Sequence, residues 1–213
     1  MKILAAESSG LSLSVAVSEN GRIICEYFFN AGMIHSETLL PVIKNILKEA
    51  GWKLEDIDQF AVSSGPGSFT GIRVAMTTVK TLAQSLNKPA VSVDCLSILE
   101  ESIKLPKIKI VAAIDALRNE VFVKQNKEII IMPVAKFAER NKKHKNNIIV
   151  IGSAVNAYKT VLSKNLGNFA VSIPEKFNFP QASVLALMAE KIKGKSFEKI
   201  EPLYVRKSWA EEK

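Results

Sequence analysis

Two stretches decide the fold: KILAAESSGLSLSVAV (residues 2–17) and KIVAAIDALRNEVFVK (residues 109–124). Both open Lys-Ile-x-Ala-Ala, both reach an acid at the end of the apolar run (Glu7, Asp115), and both turn into a second run. In the first stretch Leu11, Leu13, Val15 and Val17 alternate with Ser12, Ser14, Ala16 and Ser18. Period two marks a strand with one buried face. Asn20-Gly21 then separates this strand from RIICEYFF, and Asn-Gly between two such runs is a strong hairpin signal. With KILAAE as a buried strand before them, the chain is expected to open as three strands.

Outward from there, HSETLLPVIKNILKEAG (35–51) reads as a helix closed by Gly51. Pro41 fits only near its start. QFAVSS is a strand, SSGPGSFTGIRVAMTTVKTLAQSL (63–86) a glycine-rich loop feeding a helix, PAVSVD a strand and CLSILEESI a short helix. After a linker near Lys104–Lys107 the order returns. KIVAAID, NEVFVK and KEIIIMP read as strands, VAKFAERNKKH as a helix, NIIVIGS as a strand and AVNAYKTVLSKN as a helix. FAVSI and ASVLALMAEKIKG add a strand and a helix. A βββαβα unit occurring twice predicts an internal duplication. The expectation is an α/β protein of two such units, mixed sheets flanked by helices, divided into 1–104 and 105–213.

The chain has 213 residues, 47% hydrophobic and 23% charged, ordinary for a globular protein. No apolar run approaches the roughly 18 residues of a membrane span. Glu7 interrupts the N-terminal apolar run, so a signal peptide is not expected and the cytoplasm is. Cys25 and Cys95 fit no metal spacing and read as reduced thiols. The net charge is +8, with the lysines spread along the chain. The densest cluster, NKKHKNN (141–147), lacks an aromatic residue and reads as a solvated loop. Charge alone supports at most weak, salt-sensitive RNA contact.

A glycine-rich loop before a helix is a natural phosphate site. The Walker pattern G-x-x-x-x-G-K-[ST] fails here: Gly65 and Gly71 stand one residue too far apart, and Ile72 replaces the lysine. The pattern G-x-G-x-x-G begins at Gly65 and Gly67 but meets Thr70 at its third position. The structural reading is a tight turn at Gly65-Pro66-Gly67, a helix capped by Ser68 or Thr70, and close packing at Gly71. The turn AAESSG is a second candidate: Glu7, Ser8 and Ser9 could hold a phosphate and magnesium, or be a solvated turn.

Taken together, the duplicated βββαβα with an acid-hydroxyl turn resembles the actin, sugar-kinase and Hsp70 superfamily, a ribonuclease H-like fold. HSETLLPVI followed by VSSGPGSFTGIRVAMTTVKTLAQSLNKPAVSV resembles the TsaB (YeaZ) family, and AAIDALRNEVFV and PLYVRKSWAE resemble its later landmarks. The resemblance implies a role in tRNA threonylcarbamoyladenosine (t6A) biosynthesis beside a larger catalytic paralogue, TsaD, and an ATPase, TsaE. These attach a threonylcarbamoyl group to N6 of the adenosine 3′ of the anticodon, with the TsaB protein as platform. The expectation is no catalytic residue and no metal. The paralogue's His-x-x-x-His pair is absent from VSVDCLSILEE, and the only histidines are His35 and His144. Glu7 stands where the family usually has Asp, and IGSAV offers one glycine in place of a pair. Glu7, Ser8, Ser9, Gly65, Gly67, Ser68, Thr70 and Gly71 are therefore read as vestigial phosphate-site loops. No cofactor is expected in the isolated chain; ATP or ADP could sit at a subunit interface in the complex.

Two helices are expected to form a partner surface. At 100° per residue the apolar positions of the first helix, Leu39, Leu40, Val42, Ile43, Ile46, Leu47 and Ala50, span roughly 160°, wider than the ~100° one core needs. In the second, Val74, Thr77, Thr78, Thr81 and Ser85 make a small, uncharged face. The family is thought to use these helices for a contact with itself or with TsaD. His35, which begins the first helix, is counted with this surface as a cap or polar contact. A homodimer is expected for the chain alone, with tRNA touched indirectly or weakly and no membrane. The rival readings are an active ATP-dependent phosphotransferase and a metallopeptidase.

Overall fold

The computed structural model describes residues 1–30, 35–145 and 147–206; the side chains of residues 30, 35 and 36 are outside the description. β1 (Lys2–Glu7), β2 (Ser12–Glu19) and β3 (Arg22–Asn30) form an antiparallel meander. Asn20 (φ 49°) and Gly21 (φ 77°) take the left-handed pair of conformations that a tight hairpin requires. β4 (Gln59–Ser63) runs parallel to β1, and β5 (Ala90–Val93) parallel to β4, giving the order β3-β2-β1-β4-β5. The helices between them are α1 (His35–Ala50), α2 (Phe69–Ser85) and, after β5, α3 (Cys95–Ser102).

The second half repeats the plan. β6 (Lys109–Asp115), β7 (Glu120–Gln125) and β8 (Glu128–Pro133) form the meander, α4 (Val134–Asn141) follows, and β9 (Ile148–Ile151) pairs in parallel with β6. The order β8-β7-β6-β9 matches the first sheet strand for strand up to its edge. The expected duplicated, actin-like α/β architecture is the one observed.

Two elements of the second half differ from expectation. FAVSI is no strand: Asn168–Val171 form a 3-10 turn. Ala170 and Val171 are both buried against the second core. Successive side chains of a strand point to opposite faces, whereas a helical turn sends neighbours the same way. AVNAYKTVLSKN is two helices, α5 (Ala154–Ala157) and α6 (Lys159–Leu166), with Tyr158 at φ −127° between them.

The strand period decides what covers each face of the first sheet. Leu4 and Ala6 point toward α1 and α2, joining Leu39, Ile46, Ala75 and Val79. Ile3 and Ala5 point the other way, with Ala16 and Ala61, and meet Ala182, Leu185, Ala186 and Ala189 of α7 (Ala182–Ala189). Alanine on both partners lets helix and sheet approach closely. The last α-helix among the described residues thus covers the first sheet, while α3 packs Leu96 and Leu99 on Ala112, Ile149 and Ile151 of the second. Each half lends a helix to the other.

Candidate functional site: closed loops and an open helix face

The turn after β1 and the glycine loop after β4 are packed on each other. The Ser68 N–H donates to the Ser9 carbonyl (2.6 Å), and the Ser8 hydroxyl to the Gly71 carbonyl (2.8 Å). A Cβ on Gly67 would collide with the Ser9 carbonyl oxygen, and one on Gly71 with that of Ser8. Gly65 (φ 98°) is hemmed in by Ile72, whose Cδ1 would lie 2.6 Å from an added Cβ. Ser68 is the N-cap of α2, its hydroxyl accepting from the Gly71 N–H (3.2 Å), while Thr70 is exposed in the first turn. Of the two cap candidates the chain uses Ser68.

Glu7 sits at the centre of this packing, fully buried. It accepts hydrogen bonds from the Ser9 N–H (2.9 Å), the Ser9 hydroxyl and the Ser63 hydroxyl (3.0 Å). Burial pushes its carboxyl above the usual range, against the pull of those bonds. Cys95 Sγ lies 2.9 Å from the Ser9 hydroxyl, and burial, then the Glu7 charge, raises its thiol well above the ordinary value. These residues do not fit a magnesium phosphate. An anion is held by N–H groups at the helix start; here the Ser68 N–H is taken by the Ser9 carbonyl, the Gly71 N–H by the Ser68 hydroxyl, and the Glu7 carboxyl is turned onto hydroxyls inside the protein.

The matching turn of the second half is also tied down. Asp115 accepts from the Leu117 N–H (2.8 Å) and the Tyr158 hydroxyl (2.7 Å), and its own N–H donates to the Ser153 hydroxyl (2.9 Å). Burial and the bond to Asp115 push the Tyr158 phenol up to about 12. Gly152 of IGSAV (φ 105°) leaves no room for a Cβ beneath the Ala113 carbonyl, and its N–H donates to Asn178 Oδ1 (3.1 Å). It is a packing position here.

Between the two turns runs a strap the sequence reading missed. The Leu203 N–H donates to the Ser64 carbonyl (2.8 Å) beside the glycine loop. The Tyr204 ring lies 4.9 Å from that of Phe69, tilted by 33°, and its hydroxyl accepts from Arg73 Nε (2.9 Å), whose guanidinium lies 3.8 Å from the Phe69 ring centre. Arg206 then donates to the Ala116 carbonyl (2.6 Å) and pairs with Glu120 at the second turn. The aromatic and basic spacing of PLYVR was the available signal.

The helix face is the other candidate. α1 and α2 pack side by side. Leu39, Ile43 and Leu47 are 1%, 3% and 7% exposed, and Leu40 is 54% exposed. Much of the wide apolar arc of α1 is therefore consumed within the chain, by β2, β3 and α2. What stays open is Leu40 above a groove lined by Ile43, Leu47, Trp52, Leu54 and Leu82. On α2, Thr77, Thr81 and Ser85 are exposed and Val74 and Thr78 half-buried. The Ser85 hydroxyl is satisfied by the Leu82 carbonyl (2.9 Å). His35 starts α1, but its side chain lies outside the described residues. Among the described residues no three His, Cys, Asp or Glu converge as a metal site, and no helix is long and apolar enough to cross a membrane.

A βββαβα plan used twice, with an acid at the end of each first strand (Glu7, Asp115), defines a duplicated α/β protein of the actin-like class. The family model described as TsaD: tRNA N6-adenosine threonylcarbamoyltransferase matches residues 30–213. The Bacillus subtilis (strain 168) tRNA threonylcarbamoyladenosine biosynthesis protein TsaB is 26% identical over 223 residues, covering 100% of this chain and 97% of that protein. Its counterpart in Buchnera aphidicola subsp. Schizaphis graminum is 31% identical, over 70% of this chain and 77% of that protein. The solved structure of YeaZ from Pseudomonas aeruginosa superposes with a TM-score of 0.76 at 27% identity, over 95% of this chain and 99% of that one. The chain belongs to the TsaB (YeaZ) family.

Proposed function

We propose that this chain is a non-catalytic scaffold in t6A formation, holding a TsaD-like catalytic paralogue in its competent conformation beside a TsaE-like ATPase. The names of its relatives supply the pathway. The observation that carries the scaffold role is the closure of the phosphate-type loops: Gly67 and Gly71 rest on the Ser9 and Ser8 carbonyls over a fully buried Glu7. By this reading the two loops serve packing within the chain, and the α1–α2 face is the working surface. By this reading the face meets the paralogue in the complex and a second copy when the chain is alone. Any ATP or ADP belongs to the subunit interface. The complex works in the cytoplasm on N6 of the adenosine 3′ of the anticodon.

Reconstitution with purified TsaD-like and TsaE-like partners, the donor threonylcarbamoyl-adenylate and tRNA tests it. The expected result is t6A only when this chain is present. Full activity without it would end the scaffold reading. Micromolar binding of Mg-ATP by the isolated chain, measured by calorimetry, would favour the phosphotransferase instead.

A further inference from the structure

The positive charge is concentrated in one half of the chain. Residues 1–104 hold 9 of the 29 Lys and Arg and 11 of the 21 Asp and Glu; residues 105–213 hold the other 20 and 10. The first half is thus at −2 and the second at +10. Asymmetry of this size between halves points to a polyanion.

The structure brings together three elements that carry part of this charge. α4 packs against α6, and the turn Lys142–His144 touches both. These three elements carry Lys136, Arg140, Lys142, Lys143, Lys159 and Lys164, all exposed, against one carboxylate, Glu139. Glu139 is paired with Lys142 at 3.5 Å. Among the described residues Lys136, Lys143, Lys159 and Lys164 make no ion pair. Lys109 adds a further ammonium at its edge, donating to Asn141 Oδ1 (3.4 Å). Burial, then the charges of the neighbouring Lys109 and Lys143, lowers the pKa of His144. These three elements carry no carboxylate besides Glu139. Lysines without stacking aromatics suit phosphates rather than base edges.

We propose that the face formed by α4, the Lys142–His144 turn and α6 binds the phosphate backbone of tRNA. The identity of the polyanion rests on the proposed role in t6A formation; the surface itself rests on charge and packing. It lies on the second half, whereas the partner helices α1 and α2 lie on the first, so one chain can engage protein and RNA together.

The test measures binding of labelled tRNA to the full chain across a salt series. The variant combines Lys143→Glu, Lys159→Glu and Lys164→Glu. Its control combines Lys191→Glu, Lys193→Glu and Lys195→Glu, the same change of net charge on an exposed segment elsewhere. The face variant is expected to lose ~10-fold or more in affinity, with the slope of log affinity against log salt flattened by about one per contacting lysine. The control stays close to the unaltered chain. Equal losses in both variants, or no tRNA binding by the unaltered chain at low salt, would overturn the proposal. So would capture by phosphatidylserine vesicles that the face variant abolishes while tRNA affinity is unchanged. Reconstituted t6A formation separates the two readings. Weakened tRNA binding with the chain dispensable for t6A upholds the surface and removes the scaffold role. Unchanged tRNA binding with the chain required removes the surface and keeps the role.

Discussion

Gly71→Ala would place a methyl group on the Ser8 carbonyl, backbone against backbone, where no side chain can swing aside. Overpacking of this kind costs about 1–3 kcal/mol, and in a chain of this size each kcal/mol lowers Tm by about 2–4 °C. A thermal melt indistinguishable from that of the unaltered chain would show that the loops are not closed as described. Glu7 gives a pH-dependent counterpart. Its folded pKa is raised above 4.5, so its contribution is fullest below that value and fades as pH rises through the raised one. Glu7→Gln removes the penalty on the charged form. Urea unfolding from about pH 4 to about pH 8 should therefore show the variant gaining on the unaltered protein as pH rises; parallel curves would contradict the buried carboxyl. A tight turn at Gly65-Pro66-Gly67 and close packing at Gly71 were legible in the sequence. The partners, the carbonyls of Ser8 and Ser9, were not, because they come from a turn about 60 residues earlier and no local pattern links them.

At the scale of elements, local chemistry decided most assignments. Asn20-Gly21 set the first hairpin, and Gly51 at φ 71° closed α1. FAVSI failed because its alternation is compatible with a strand, yet two adjacent residues had to face the same core. The arc of α1 shows a similar limit: its width reflects three neighbours inside the chain, and only Leu40 and the groove beside it remain for an outside partner. The exposed side of α2 is then the better place to break the proposed interface. Thr77→Arg with Thr81→Arg, both exposed, should leave stability within about 0.5 kcal/mol, as for most surface changes. Complex formation with the paralogue should fall at least ~10-fold, because two long cations replace residues small enough for close helix contact. Size-exclusion or titration data showing an intact complex would move the interface elsewhere.

The whole molecule is knitted in both directions. The duplication was readable from two short openings, but which half each helix serves was not, since α7 matches any sheet with alanines on its outer face. The strap Leu203–Arg206 likewise ties the glycine loop to the second turn, through contacts 131 residues apart in sequence at the first (Arg73–Tyr204) and 90 apart at the second (Ala116–Arg206). The crossing of α7 has a consequence in time. Ile3, Ala5, Ala16 and Ala61 wait for Ala182–Ala189, a helix synthesised about 90 residues after the last strand of that sheet. A ribosome adding about 5–20 residues per second leaves that face of the first sheet bare for several seconds after its own strands are complete. The nascent first half is then a client for whatever shields apolar surface in the cell. A fragment ending at residue 104 should aggregate or remain unfolded when expressed alone, and recover solubility when residues 105–206 are supplied in trans.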